Sequence, residues 1–334
     1  MSSKFKAREI ARDEWNTLWT QVEKSNLLQT WEYGDAKAAT ESWSPIRFVV
    51  ENINGDAIAI AQLLTRTIPV LGGVARLNRG PLFLKERDTM SENDCVEVLN
   101  SILSLKRKNR WWLFFIAPEL KDGQLENNSL SKFLAKPRTG ASWGSSLLNL
   151  DIDEDQLLKN LNGKWRNLLR KAMKSDLKVR SILSSDKDFD KLIASYDEMK
   201  KKKNFAGIPS KLLRELPNHN GTNWSFNAYI AESNNFEVSS TEITGMLVSI
   251  CHGDTATYLI GSSNLEGRKL NANYLLLWKS ILDAKAFGCK YFDLGGINNN
   301  TPKGIAHFKR GVKGKEYVLI GEYFTTMLTL KNDS

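Results

Sequence analysis

Cysteine is scarce in this chain. Three occur in 334 residues, Cys95, Cys251 and Cys289, far apart and without a CxxC pair. That excludes a disulfide framework and points to a reducing compartment with structural thiols. Histidine is as rare: His219, His252 and His307 show no ligand spacing, and no Cys/His pair is local, so no metal site is expected. There is no GxxxxGK loop, which argues against ATP hydrolysis, and no cofactor is expected. No run of about eighteen apolar residues occurs, so a spanning helix is not expected. The opening MSSKFKAREIARDEW has no apolar stretch of the kind a secretion signal needs, so a cytoplasmic location is expected and the two Asn-x-Ser/Thr sequons carry no weight.

What is present is ordinary for a folded soluble protein: 41% hydrophobic and 25% charged residues. The length suits two domains better than one. Net charge is +9, which favours an anionic partner such as nucleic acid, a nucleotide, phospholipid or a phosphorylated substrate, without choosing among them.

The most informative stretch is Thr257–Tyr323. Thr257–Ile260 is β-prone, and Gly261–Lys269 reads as a polar loop. Leu275, Leu276, Trp278, Ile281 and Leu282 recur at helical spacing across Ala272–Phe287, with Asn271 able to cap the start and Gly288 suited to a left-handed end. Tyr291–Leu294 is a short strand. Gly295–Gly296 then permits a turn or a close backbone approach to a ligand, and a basic turn follows. A strand end and a helix start thus meet at one sheet edge, where α/β folds bind ligands.

The run YLIGSS…ANYLLLW…A…G…YFDLGGIN…GIAHFKRGVKG resembles the second half of the Fem family, the peptidoglycan interpeptide-bridge aminoacyltransferases. In the first half, Gln29-Thr30-Trp31-Glu32-Tyr33-Gly34 with Lys37, and later Arg79-Gly80-Pro81, are similar to that family's motifs. The resemblance implies an α/β fold of two GNAT-like domains with mixed twisted sheets. The first domain would take residues 1–147 plus 316–334 and the second 148–315, with a last strand Glu316–Thr326 returning to the first. The first half shows a hairpin-then-strand order similar to the second, consistent with an internal duplication.

Site residues follow partly from the residues and partly from the resemblance. Lys309, in His307-Phe308-Lys309-Arg310-Gly311, matches the family's Phe-Lys dipeptide, whose lysine stands near the reacting centre. A fixed cation there would stabilise the oxyanion of acyl transfer. By the same resemblance Lys37 would contact substrate phosphate and Tyr258 would face the cleft; alone, the first reads as a solvated helix lysine and the second as a half-buried strand tyrosine. Asp293 can accept an amine proton or cap the following loop. Arg166 and Arg170, with Lys164, Lys171, Lys174 and Lys178 around them, form a basic helical face relieved by one acid, Asp176, and suited to an anionic donor. Arg79 reads as a pin for its loop through backbone carbonyls. Phe205-Ala206-Gly207-Ile208-Pro209 lacks the arginine and tyrosine expected of the family's acceptor loop. Gly140-Ala141-Ser142-Trp143-Gly144 fits GxSxG, but Lys136-Pro137-Arg138-Thr139 precedes it where a hydrophobic strand is needed, and a strand follows where a helix is needed.

The resemblance implies transfer of an amino acid from aminoacyl-tRNA to an amine of a peptidoglycan precursor, nucleotide- or lipid-linked, with peripheral contact at the membrane face. Two other readings remain open. One is an acyl-CoA-dependent N-acyltransferase acting on a cell-envelope sugar or amine, with Gly267-Arg268-Lys269-Leu270-Asn271-Ala272 where a GNAT domain holds pyrophosphate. The other is a non-catalytic RNA-binding module, which the charge supports but no RNA-binding motif does.

Overall fold

In the computed structural model, which describes residues 4–68, 70–84, 90–123, 136–138, 142–203, 207–235, 240–298 and 301–326, successive apolar residues of the central strands face two covered sides. Side chains alternate across a strand, so a strand buried throughout needs a layer on each face. Ala57–Ile68 is such a strand, buried from Ala59 to Thr65. Ala59, Ala61 and Leu63 join Val98, Leu99 and Ile102 of the helix Glu92–Leu103. Ile60 joins Trp15, Leu18 and Trp19 of the helix Arg12–Trp19 on the other side.

This strand lies in the first of two units, which comprises Met1–Gly144 and Tyr317–Ser334. Its sheet runs in the order Phe5–Glu9, Ser44–Asn52, Ala57–Ile68, Gly72–Asn78, Trp111–Ala117, Tyr323–Thr326, Lys136–Pro137, with Leu82–Phe83 also paired to Ala57–Ile68. Asn54-Gly55 forms a hairpin turn, with Gly55 at φ +86 and Asn52 Oδ1 accepting from the N–H groups of Asn54 and Asp56. Gly72–Asn78 and Trp111–Ala117 are parallel, joined through the helix Glu92–Leu103.

The second unit, Ser145–Glu316, repeats that plan. Its sheet order is Lys315–Val318, Gly144–Asn149, Tyr291–Asp293, Thr255–Ser263, Ser240–His252, Trp224–Asn235, Lys178–Ile182. Thr255–Ser263 and Tyr291–Asp293 are parallel and joined through the helix Ala272–Phe287, which buries Leu276, Leu277, Trp278 and Ile281. Leu247 and Cys251 pack on that side with the helix Gly163–Met173, while Met246 and Val248 face Phe189, Leu192, Ile193 and Tyr196 of the helix Lys187–Lys203.

Several local expectations are corrected. The polar stretch after Ile260 is not a loop: the strand continues to Ser263, and Leu265–Lys269 is a short helix whose cap, Asn264, accepts from Gly267 N–H at 2.8 Å. Asn271 stands at the next helix start with φ +63, but its side chain makes no cap bond; its carbonyl accepts from Tyr274 N–H instead. Gly288 ends that helix left-handed, at φ +102. The supposed basic turn is a helix, Lys303–Arg310, hidden because its buried face is short. Glu316–Thr326 is not one strand: Lys315–Val318 pairs in the second sheet, and past Gly321, at φ +103, Tyr323–Thr326 pairs in the first. Gly140, Ala141, Phe205 and Ala206 lie outside the described residues. Among the described residues no helix is long and apolar enough to cross a membrane.

Candidate functional site

The short strand Tyr291–Asp293 ends with Asp293 paired to Leu147, two residues from Ser145 on the neighbouring strand Gly144–Asn149. Asp293, 4% exposed, accepts from Gly295 N–H at 2.8 Å and from the Ser145 hydroxyl. Ser145 Oγ also lies 2.8 Å from Gly295 O. The carboxylate is therefore used to fold the Gly295–Gly296 exit, the loop-capping alternative seen in the sequence. Gly295 sits at φ +69, where a side chain would be strained, and its bare Cα faces the Tyr258 carbonyl and Lys309 Nζ.

Lys309 reaches this exit from the helix Lys303–Arg310. It is not a surface lysine in a turn: it is 7% exposed and lies on the buried side of the helix with Ala306. Its Nζ donates to Gly296 O at 3.2 Å and stands 5.1 Å from the centre of the Tyr258 ring. Burial lowers its pKa to about 8, against the opposing pull of the Asp293 carboxylate. At neutral pH it remains mostly an ammonium. A lysine ammonium carries three donors, so the bond to Gly296 leaves it able to meet a further acceptor. Tyr258 is half-buried with its hydroxyl over Gly261, and burial raises its pKa, so it is neutral.

What holds Lys309 is an aromatic knot. Phe308 packs edge-on to Tyr274 at 5.1 Å and against Trp165 at 5.9 Å, and Trp165 meets Tyr274 at 4.9 Å. Trp165 Nε1 donates to the Phe308 carbonyl at 3.0 Å. Gly311 closes the knot, since a Cβ there would collide with Trp165 Cδ1. Trp165 belongs to the basic helix Gly163–Met173, so the helix that carries Arg166 and Arg170 also braces Lys309. The sequence gives no local signal for this knot or for Ser145, because the partners are more than a hundred positions apart for Trp165 and Phe308.

The structure thus brings Lys309, Tyr258 and Asp293 together. Arg166 serves the fold, since its guanidinium donates to the Lys159 carbonyl at 2.7 Å and closes the end of the helix Glu154–Asn160. Arg170, Lys164, Lys171 and Lys174 are exposed along the same helix as Arg166.

Lys37 lies in the first unit and ion-pairs with Glu41 one helical turn on. Around it the motif residues hold the local structure. Gln29 spans to the backbone of Gln62 and Asn78, and a Cβ on Gly34 would collide with Gln62 Oε1. Arg79 pins its loop through the Glu119 carboxylate at 2.7 and 2.9 Å and the Tyr317 hydroxyl. All three cysteines are buried. Cys251 and burial together raise the Cys289 pKa, which removes it as a nucleophile.

This geometry can be set beside known proteins. The FemAB family profile matches residues 186–331. A crystal structure of FemX is similar over 96% of this chain and 97% of its own, with a TM-score of 0.74 and 14% identity. A tandem GNAT protein from the clavulanic acid biosynthesis pathway matches over 98% and 100%, with a TM-score of 0.56 and 11% identity. The C-terminal domain of a lysylphosphatidylglycerol synthetase from Agrobacterium fabrum matches over 89% and 87%, with a TM-score of 0.52 and 13% identity. At such identities the structures establish the fold, a tandem GNAT-like one. No curated protein sequence matches this chain.

Proposed function

We propose that this chain, whose residues 186–331 match the FemAB family profile and whose fold is that of FemX, is an acyltransferase of the peptidoglycan-bridge kind that moves an amino acid from aminoacyl-tRNA to an amine on a peptidoglycan precursor peptide. The acceptor amine attacks the ester carbonyl, a C–N bond forms, the C–O bond to the tRNA ribose breaks, and the ribose oxygen leaves with a proton. Between those events negative charge sits on the carbonyl oxygen. The observation that carries the reading is Lys309: a buried ammonium braced by an aromatic knot, beside a glycine exit open to a close approach. A cation fixed before reaction stabilises that charge without reorganising. Tyr258 and Asp293 are assigned to shaping this end of the site. The exposed cations of Gly163–Met173 supply a phosphate-binding face for the donor, and Lys37 a phosphate contact for the acceptor.

The acyl-CoA alternative is supported less well. Four of the backbone donors between Asn264 and Asn271, where pyrophosphate would sit, are spent internally: Gly267 N–H on Asn264 Oδ1, Arg268 N–H on Asn264 O, Leu270 N–H on Glu266 O, Asn271 N–H on Arg268 O. A cradle of free N–H groups is what that chemistry requires. The test is product mass spectrometry after incubation with charged tRNA, acyl-CoA and muropeptide precursors. A peptide product from charged tRNA supports the proposal. Acylation from acyl-CoA alone favours the alternative, and tRNA binding without any product leaves an RNA-binding module.

A further inference from the structure

At one end of the first unit's sheet, Ala57–Ile68 turns back into Gly72–Asn78. Ile68, Val70 and Leu71 at this tip are 50%, 94% and 74% exposed. Trp112, 43% exposed, stands beside them, since a Cβ on Gly72 would lie 3.2 Å from its ring. Gly73 pairs with Trp111, and its N–H donates to the Arg110 carbonyl at 3.0 Å. The hairpin tip and the segment Arg107–Trp112 therefore make one surface.

Cations surround the apolar tip. Arg66, Arg107, Lys108 and Arg110 are all exposed. Neither Leu64–Val74 nor Leu103–Trp112 contains an Asp or Glu. Arg66 lies 4.4 Å from the ring centre of Trp43, placing a second tryptophan at this edge. Glu41, whose carbonyl accepts from Arg66, has its carboxylate taken by Lys37. Val70 adds a further point. It sits at φ +70, a conformation costly for a β-branched residue, where Asn or Gly would serve the turn better. Folding does not call for valine there.

We propose that this tip is a membrane-interface anchor, inserting Ile68, Val70 and Leu71 into the headgroup–acyl boundary of an anionic phospholipid bilayer. Apolar residues at a projecting turn, tryptophan at headgroup depth and a cationic surround are the elements that bind such a surface. A second copy of the chain is a poor occupant, because a two-fold contact here would set like charges face to face. Nucleic acid would meet the cations but leave the aliphatic residues in water. The inference extends the proposal of a precursor acceptor, which when lipid-linked is presented at such a surface, but it stands on its own observations.

The test is flotation of the full chain with vesicles of phosphatidylcholine, alone or mixed with phosphatidylglycerol. The protein should float with the anionic vesicles, weakly with the neutral ones, and less as salt is added. Val70→Asn with Leu71→Ser suits the turn and should abolish flotation while leaving thermal stability and transfer to a soluble nucleotide-linked acceptor unchanged. Arg107→Gln with Lys108→Gln should weaken binding about twenty-five-fold, at about fivefold per cation. Wild-type protein that stays with the soluble fraction, or a Val70/Leu71 variant that floats like wild type, overturns the proposal. So does a dimer in sedimentation that the Val70/Leu71 variant abolishes, since the patch would then join copies. A protein that floats but transfers nothing refutes the transferase reading and leaves this one standing.

Discussion

Replacing Lys309 with methionine keeps the length of the side chain and removes its charge. The proposed reaction assigns that charge to the transition state, so kcat should fall about a hundred- to a thousandfold with KM near normal. Stability should move differently. The folded value of about 8 lies below the usual 10.5. At about 1.4 kcal/mol per pH unit, keeping the ammonium charged in the folded state costs roughly 3 kcal/mol. The sign follows from linkage. Below pH 8 both states hold the proton and the full cost stands; between 8 and 10.5 the folded state releases it first and wild type gains stability; above that range the cost is gone. Methionine removes the cost but leaves the Gly296 carbonyl without its donor, a loss of roughly 1–3 kcal/mol. The variant should thus be at least as stable as wild type at neutral pH, and it should lose that standing as pH rises past 8. Denaturant unfolding at neutral and alkaline pH measures this, and transfer from charged tRNA with product mass spectrometry measures the rate. Wild-type kcat should decline as pH rises through about 8, and the residual rate of the variant should lack that limb. Wild-type turnover in Lys309→Met refutes the catalytic assignment. A wild-type rate that instead climbs through pH 8 refutes the oxyanion role, because the neutral amine would then be the active form.

Other outcomes follow from the same geometry. Arg170→Ala with Lys174→Ala should flatten the salt dependence of tRNA binding by about one to two units of log–log slope, and an unchanged slope in a filter-binding titration would remove this face from the donor site. Lys37→Ala should raise the acceptor KM at nearly constant kcat, since the proposed phosphate contact would stabilise ground and transition states alike; a fall in kcat alone would contradict it. Its ion pair with Glu41 is part-buried, so the same change should also cost stability, because the Glu41 carboxylate is left without its counter-charge. Gly311→Ala should destabilise by roughly 1–3 kcal/mol through overpacking against Trp165, and an unchanged denaturation midpoint would show that the aromatic knot is loose.

The fold was legible wherever period and punctuation agreed. Asn54-Gly55 between two apolar runs gave its hairpin, and the heavy leucine content of Ala272–Phe287 with Gly288 behind it gave a buried helix. Legibility failed where the deciding partner was distant or the signal short. Lys303–Arg310 exposes most of a short, basic stretch, so its charge suggested a turn. Leu265–Lys269 depends on one side-chain cap from Asn264, which composition does not reveal. Lys37 and Arg79 were visible as motif residues, but their carboxylate partners were not: Glu41 sits one turn away and Glu119 forty positions away. The site was legible as a set of residues and not as a mechanism of support. Lys309 stood out through the resemblance. Nothing in sequence linked it to Trp165, Tyr274 or Gly296, which decide how it is held.

Local rules of sequence and structure are broken together at one place in the second unit. An amphipathic helix normally turns its lysines outward, yet Lys309 is buried beside Ala306. Carboxylates are seldom buried, yet Asp293 is 4% exposed at the end of a three-residue strand. Gly295 takes a backbone conformation closed to most residues, and the Gly296 carbonyl is spent on an ammonium rather than on a strand partner. Each departure has a local cost, and the largest, the buried ammonium, is roughly 3 kcal/mol. A sequence shaped by stability alone would place an aliphatic residue at position 309. Methionine would fill the space and leave the aromatic knot intact. The lysine is better explained by a gain outside the folded ground state. A hundred- to a thousandfold in rate corresponds to about 2.7–4 kcal/mol of transition-state stabilisation, enough to offset the cost of burial. The comparison depends on the charge being present when the carbonyl is attacked. A value near 8 satisfies that at neutral pH. Deeper burial would lower the pKa further and remove the charge, whereas greater exposure would restore an ordinary lysine whose field water screens.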